Sequence, residues 1–366
     1  MHVHAALARA DHPQLSLETL ELAAPREDEI LVRLVGVGLC HTDVSALDQL
    51  LPVPFPIVLG HEGAGVVQAV GARVRSVKPG DPVVMTYDYC DSCPSCDEGE
   101  RTYCHEVVRM NFGGLRFDGS SALSQHGHLV HGHFFGQSSF ASHALCTERN
   151  VVKVRPDAPL ALLGPLACGI QTGAGAVLNS LQVSEGDTIA IYGAGAVGLS
   201  AVMAAKVAGA SRIIVVDVLP QRLSLAKELG ATDVIHAREQ DPLQSTLALT
   251  GYGVRYALDT SGVPAAMEQA LASLAPRGTC AWLAGTSPAL TMPVSPSYLL
   301  NGRKLRGIIE GDSHCPQEFI PRLIDWFMQG RFPFDRMVKT YAFDRINDAI
   351  ADTRSGTTIK PVLVFD

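Results

Sequence analysis

Basic residues are the first shortage in this 366-residue chain: 29 Lys and Arg stand against 37 Asp and Glu, a net charge of −8. Phosphate backbones need a positive surface, so nucleic acid is not an expected partner. Charge of either sign is sparse at 18% while 47% of residues are hydrophobic, which excludes an intrinsically disordered chain. Met1-His2-Val3-His4-Ala5 lacks the basic start and following apolar run of a secretory leader. No stretch reads as a membrane span: the most apolar one, Thr188 to Ala210, carries Lys206 and is divided by glycines, as in a buried strand, turn and helix. There is no internal repeat and no low-complexity tract. Nine cysteines are an odd number, and a chain this long needs no disulfide staples, so a reducing compartment and a soluble cytoplasmic protein are expected. At this length two domains are the natural outcome.

What is present falls into two patterns. The first half is mostly β, with turns spaced like those of a small barrel. Glu29 to Val37 is a β-branched run after the polar turn Pro25-Arg26-Glu27-Asp28. Gly65 to Val70 and Pro82 to Tyr87 add strands, separated by the breaker Lys78-Pro79-Gly80-Asp81. Cys40-His41-Thr42-Asp43 follows the first run, at a loop or short helix. The apolar run Phe55 to Leu59 ends in Gly60-His61-Glu62, which sets a possible metal ligand beside an acid; alone, such a histidine reads more readily as structural. Residues 111–140 read as a glycine-rich loop followed by a strand, and His126, His128, His131 and His133 lack an acid or cysteine to complete a ligand set. Phe134-Phe135 suits either an apolar pocket wall or the core side of that strand. Gly164 to Gly169 opens a helix-like stretch of small residues in which Cys168 is a third candidate ligand. Cys146, Cys280 and Cys315 have no such company.

Cys90, Cys93, Cys96 and Cys104 are close enough in sequence to fold around one tetrahedral ion. Four sulfurs close the coordination shell, so the site is structural; an iron–sulfur cluster is the chemical rival to zinc. From about Gly169 strands and helices alternate. Thr188 to Tyr192 is a buried-strand run, Gly193-x-Gly195-x-x-Gly198 opens a helix, and Arg212 to Val216 is a second strand ending in Asp217. Glycines there allow a tight turn and the approach of a pyrophosphate to a helix N-terminus, and the acid can bind a ribose hydroxyl. Asp217 would repel a 2′-phosphate, so NAD is favoured over NADP. A helix over 221–229, strands over 233–235 and 256–259, a helix over 264–274 and a strand over 279–284 follow. A helix over 317–328 and a terminal strand, Lys360 to Phe365, return the chain to the first domain.

Gly60-His61-Glu62-x2-Gly65-x5-Gly71-x2-Val74, the Cys40-His41-Thr42-Asp43 stretch, the four-cysteine lobe, Cys168 and the glycine fingerprint resemble the zinc-dependent medium-chain alcohol dehydrogenases in order and spacing. The resemblance covers essentially the whole chain. It implies an α/β protein: a GroES-like catalytic domain from residues 1–169 and 312–366, with a structural zinc lobe at 88–106, and a doubly wound Rossmann domain over 170–311. It implies two zinc ions per subunit, a catalytic one on Cys40, His61 and Cys168 and a structural one on the four cysteines. Gly193, Gly195, Val197, Gly198, Asp217, Arg222 and Lys360 would serve the cofactor, NAD. Homodimers or homotetramers would form through the Rossmann domain, with Thr279 to Leu290 as a candidate edge.

Within that family His131 to Phe140 and Gly164 to Gly173 resemble the aryl-alcohol dehydrogenases, which implies primary aromatic or allylic alcohols as small-molecule substrates and Met110, Phe134 and Phe135 as pocket residues. Two thiolates and an imidazole leave one zinc position open, where a bound alcohol can ionise near neutral pH and pass hydride to nicotinamide. Thr42 resembles the hydroxyl that relays the proton, Asp43 the acid that orients His61, and Glu62 the acid behind the metal. Many family members end the relay in a histidine three residues after that hydroxyl; here the position is Ser45, which leaves His41 or water for the last step. The rivals are a dehydrogenase of a glutathione–formaldehyde adduct, for which Arg109 and Arg116 are the candidate anion contacts, a short-chain aliphatic alcohol dehydrogenase, and a catalytically silent structural or sensing relative.

Overall fold

The structure, a computed structural model, describes all residues except 287–289, 293 and 366. Two compact units result. One comprises residues 1–168, 314–328 and 334–366; the other comprises residues 169–313 and 329–333.

The first unit is built on two sheets. Ile57–Val58, His2–Arg9, His12–Leu22, Leu123–Gln125 and His128–Val130 form a five-stranded one in that order. The larger sheet runs Val151–Lys153, Pro82–Met85, Glu62–Val70, Glu29–Gly38, Lys360–Val364, Val338–Ala342, with His143–Thr147 also pairing Glu29–Gly38. Ile30, Val32, Leu34 and Val37 of the central strand are all fully buried, each adding about 1.5–3 kcal/mol of apolar burial. The terminal strand pairs antiparallel with this one, Val362 opposite Gly38, so the end of the chain adds a strand beside its beginning. Gly60, at φ +90°, turns the chain between Ile57–Val58 and Glu62–Val70, and a Cβ there would sit 2.4 Å from Phe140 N.

The second unit is a six-stranded parallel sheet in the order Asp233–His236, Arg212–Asp217, Thr188–Tyr192, Val254–Asp259, Leu274–Trp282, Lys304–Gly307. Counted along this unit, that is 3-2-1-4-5-6, the doubly wound dinucleotide-binding order, whose ligand crevice lies where the order reverses. Helices Ala196–Ala208, Pro220–Leu229, Pro242–Thr250 and Pro264–Ala272 connect the strands.

Several elements differ from the sequence reading. Phe134–Gly136 is a tight 3-10 turn rather than part of a strand, because His133, Phe135 and Ser138 are left-handed. Strand Lys304–Gly307 was unmarked: Lys-Leu-Arg-Gly carries no apolar run, as suits an exposed edge. It also displaces the expected edge at Thr279 to Leu290, since Leu274–Trp282 lies inside the sheet; residues 287–289 of that stretch lie outside the described residues. Among the described residues no helix is long and apolar enough to cross a membrane.

A buried ion pair ties the start of the central strand to the 111–140 segment. Arg116 Nε and Nη2 donate to the two oxygens of Glu29 at 2.6 and 2.8 Å, and Arg26 N donates to the second at 2.9 Å. Burial pulls the Glu29 carboxyl upward, but Arg116 and the Arg26 N–H outweigh it and hold it below the ordinary carboxylate range. Glu29→Gln strands the guanidinium in the interior and should cost about 3 kcal/mol in urea unfolding at neutral pH. The folded pKa lies below the unfolded one, so this stability is complete above the unfolded value and is lost as pH falls through the folded value. The difference between the two proteins should therefore shrink on acidification; a constant difference, or none, would refute it.

Candidate metal centre and cofactor turn

Cys40 ends an extended segment and caps helix His41–Leu47. Asp43, in the first turn of that helix, is 2% exposed, and its two oxygens face different partners. Oδ2 accepts from Cys40 N at 3.0 Å; Oδ1 accepts from Gly60 N at 3.1 Å and lies 2.9 Å from His61 Nδ1. With Nδ1 as the donor to Asp43, the other imidazole nitrogen, Nε2, is the one available to a ligand. It is buried and has no hydrogen-bond partner among the described residues. Ligand atoms of Cys40, His61, Glu62 and Cys168 all lie within 4.8 Å of one another.

Burial and neighbouring charges shift the titratable groups of this cluster together. A hydrogen bond with Cys168 holds the Cys40 thiol well below its usual range despite burial, with Lys360 adding to the effect. Burial would lower His61, yet Asp43 keeps it well above the ordinary imidazole value. Burial pushes Glu62 up to about 7 against the attraction of Lys360. Lys360 Nζ donates to Glu62 Oε1 at 2.7 Å and to Leu39 O at 3.3 Å; burial would lower it, and Glu62 keeps it protonated. Two thiols and an imidazole with an unpartnered nitrogen, converging in a buried place, are a donor set that fits zinc.

The second cluster is Cys90, Cys93, Cys96 and Cys104, with ligand atoms again within 4.8 Å of one another. Backbone N–H groups point at the sulfurs: Cys90 N at Cys104 Sγ (3.3 Å), His105 N at Cys93 Sγ (3.4 Å) and Glu106 N at Cys104 Sγ (3.4 Å). The His105 N–H draws the Cys93 thiol down to about 6, while burial pushes Cys104 up to about 12. Four sulfurs with donated N–H groups fit a closed tetrahedral site.

The remaining expected residues lie around these centres. Thr42 is half-buried, with Oγ1 3.7 Å from Cys40 Sγ, and His41 is exposed at the helix start. Phe134 and Phe135 pack on His61, edge-on and face-on. Met110 lines a cavity of about 390 Å³ together with Arg116, Phe117 and His133. Burial, then Arg116, lowers His133 to about 4, so its imidazole is neutral. Gln137 and Asn150 were missed. Both are buried amides whose hydrogen bonds reach the His61 strand and the Phe134–Gly136 turn. The available signal was a glutamine placed between phenylalanines, a polar group that must find partners when buried.

In the second unit Gly193 is left-handed at φ +98°, and a Cβ on Gly198 would sit 1.9 Å from Gly193 O. A Cβ on Gly195 would meet nothing within 4 Å, so the outer side of this turn is open to a ligand. Asp217 is locked at the adjoining strand end: Oδ2 accepts from Ala194 N at 2.6 Å, and Oδ1 from Val218 N and Leu219 N at 2.7 and 2.9 Å. Val197 lies in the helix that the glycines open, and Arg222 in helix Pro220–Leu229. Tight turn, open glycine and fixed acid fit a dinucleotide.

Comparison with known proteins places these features in a family. The alcohol dehydrogenase GroES-like domain matches residues 26–156, and the zinc-binding dehydrogenase domain matches residues 196–329. A geraniol dehydrogenase of Castellaniella defragrans is 47% identical over 365 residues, 99% of this chain and 97% of that one. The crystal structure of an alcohol dehydrogenase zinc-binding domain protein from Burkholderia ambifaria is 52% identical, with a TM-score of 0.98 over 100% of this chain and 99% of that one. That of a benzyl alcohol dehydrogenase from Acinetobacter calcoaceticus is 44% identical, with a TM-score of 0.97 over 100% of both chains. With metal-type clusters, a dinucleotide turn and relatives that match end to end, the chain belongs to the zinc-dependent medium-chain alcohol dehydrogenases.

Proposed function

We propose that the protein is an NAD-dependent dehydrogenase that interconverts primary aromatic or allylic alcohols and their aldehydes. One observation carries the substrate class. Two relatives that match nearly the full length are named for geraniol and benzyl alcohol, whose hydroxyl-bearing carbon adjoins a π system. Phe134 and Phe135, apolar rings packed beside His61, support it. Both guanidiniums that could have received a glutathione adduct are engaged, Arg116 on Glu29 and Arg109 on Phe117 O.

Two zinc ions per subunit fit the two clusters, the catalytic one on Cys40, His61 and Cys168 with Glu62 behind it, the structural one on the four cysteines. The first supplies, when bound, a Lewis acid that lowers the pKa of a substrate hydroxyl. Asp43 holds the His61 tautomer. Thr42, beside Cys40, takes the hydroxyl proton, and exposed His41 passes it to solvent where Ser45 cannot. Asp217 takes the ribose hydroxyls of NAD and disfavours a 2′-phosphate, while Gly193, Gly195, Val197 and Gly198 admit the pyrophosphate and Arg222 flanks it. Lys360, buried and paired with Glu62, is left out of the phosphate site. Residues 1–169 and 312–366 then form the catalytic domain and 170–311 the cofactor domain, through which a homodimer or homotetramer of this cytoplasmic enzyme assembles.

NADH formation from benzyl alcohol, an allylic alcohol and ethanol tests the reading directly. The first two should be preferred with NAD, and activity should vanish on chelation; ethanol alone as a substrate would discard the aromatic class. Metal analysis should find two zincs per subunit, with one lost in Cys40→Ser and the other in Cys104→Ser; a wild type with one would remove a site. Asp217→Asn should lower kcat/KM for NAD about tenfold, the ~1.5 kcal/mol of one charged hydrogen bond, and raise use of NADP; unchanged selectivity would exclude the acid from recognition. His41→Gln should alter the pH dependence of kcat, and an unaltered profile would take His41 out of the relay.

A further inference from the structure

Phe135 stands in left-handed backbone, φ 53° and ψ 35°, where glycine is the default residue. The next position, left-handed at φ +65°, does carry glycine, and a Cβ there would meet Asn150 Nδ2 at 2.8 Å. Residue 135 instead holds a bulky ring in a conformation that disfavours one. Non-glycine residues persist in such conformations where their surroundings over-determine them, often beside functional groups.

The surroundings of this ring are those of one metal-type ligand. The Phe135 ring lies face to face with the His61 imidazole, centroids 4.4 Å and planes 26° apart. Phe134 meets the same imidazole edge-on at 5.7 Å and 82°, and Phe112 backs both phenylalanines at 6.0 and 5.2 Å. The turn is tied to the chain on either side of His61. Asn150 Nδ2 donates to Phe135 O and Gly136 O, both at 3.2 Å. Ser138 Oγ accepts from Phe134 N at 2.9 Å and donates to Val58 O at 2.5 Å. Ser139 N and Phe140 N donate to Gly60 O and Leu59 O. Gln137 Nε2 donates to His61 O at 3.0 Å, and its Oε1 accepts from Gly63 N at 3.1 Å.

Asp43 makes one hydrogen bond to the ring of His61, at Nδ1. A single hydrogen bond chooses the tautomer but leaves the ring free to tilt about it; a stacked face removes that freedom. We propose that Phe135 is a positioning residue of the metal centre: held in its left-handed turn, its ring fixes the plane of the His61 imidazole and so the direction of Nε2. The inference rests on the assignment of His61 as a zinc ligand. A ring facing an imidazole that has donated to a cation also gains from the quadrupole attraction between them, so the contact favours the metal-loaded state.

The test is zinc retention and the visible absorption of the cobalt(II)-substituted protein, neither of which requires turnover. Phe135→Leu removes the ring and keeps apolar volume. Phe135→Gly removes the ring and suits the left-handed backbone, which separates ring from strain. Phe135→Tyr keeps the stack, and Phe140→Leu alters a buried ring that lies against Gly60. Phe135→Leu and Phe135→Gly should lose one of two zincs to a chelator at least tenfold faster, the scale of effect for groups that orient a ligand. Their cobalt bands should shift. Phe135→Tyr should match wild type, and Phe140→Leu should lower the melting temperature without moving either readout. Unchanged zinc loss and cobalt bands in both ring-removing variants, with two zincs in wild type, would overturn the proposal alone. A Cys40→Ser protein that keeps both zincs would overturn the ligand assignment and the proposal with it.

Discussion

The carboxylate of Asp43 is the interaction on which the candidate centre depends. It gathers three groups, Cys40 N, Gly60 N and His61 Nδ1, from two segments 17–21 residues apart. A buried carboxylate is costly to desolvate, and only several donors offset that cost. The same requirement that satisfies Asp43 brings the Cys40 end of one strand to the His61 end of another. Geometry and polar satisfaction are here one problem: any arrangement that separated the two segments would strand a charge in the core.

Lys360 is the second constraint, and it couples the end of the chain to the centre. Its strand must pair with Glu29–Gly38 for the ammonium to reach Glu62, and once there neither charge is stable without the other. Glu62 is thereby held beside Cys40, His61 and Cys168 with the Lys360 ammonium on its Oε1. The centre is arranged in alternating sign: cation, carboxylate, and then a space ringed by thiols and imidazole.

How much of this was legible in the sequence depends on the range of the signal. Cys90, Cys93, Cys96 and Cys104 announce their cluster because short loops alone bring them together, and the strand, glycine turn and acid from Thr188 to Asp217 follow one another locally. Cys40, His61 and Cys168 converge over more than a hundred residues, and no periodicity encodes that; only a resemblance pointed there. Strand Lys304–Gly307 was invisible because an exposed edge needs no apolar face, and the Phe134–Gly136 turn because its backbone is imposed by Asn150 and Ser138 rather than by its own residues. A lone lysine carries no mark of burial, so the resemblance assigns Lys360 to the cofactor, whereas it is 2% exposed and held on Glu62.

The same accounting shows why so many polar side chains surround one histidine. Asp43, Glu62, Gln137, Asn150 and Lys360 are all buried, and each is committed to named partners. Replacing such a network by apolar packing would usually cost little stability, so its presence argues for a requirement of position rather than of stability. Three of these commitments bear on His61: Gln137 on its carbonyl, Asp43 on its Nδ1, and Asn150 on the turn that carries the stacked Phe135. Among the described residues Nε2 of His61 is left without a hydrogen-bond partner, and beside Cys40 and Cys168 it is the imidazole nitrogen available to a ligand.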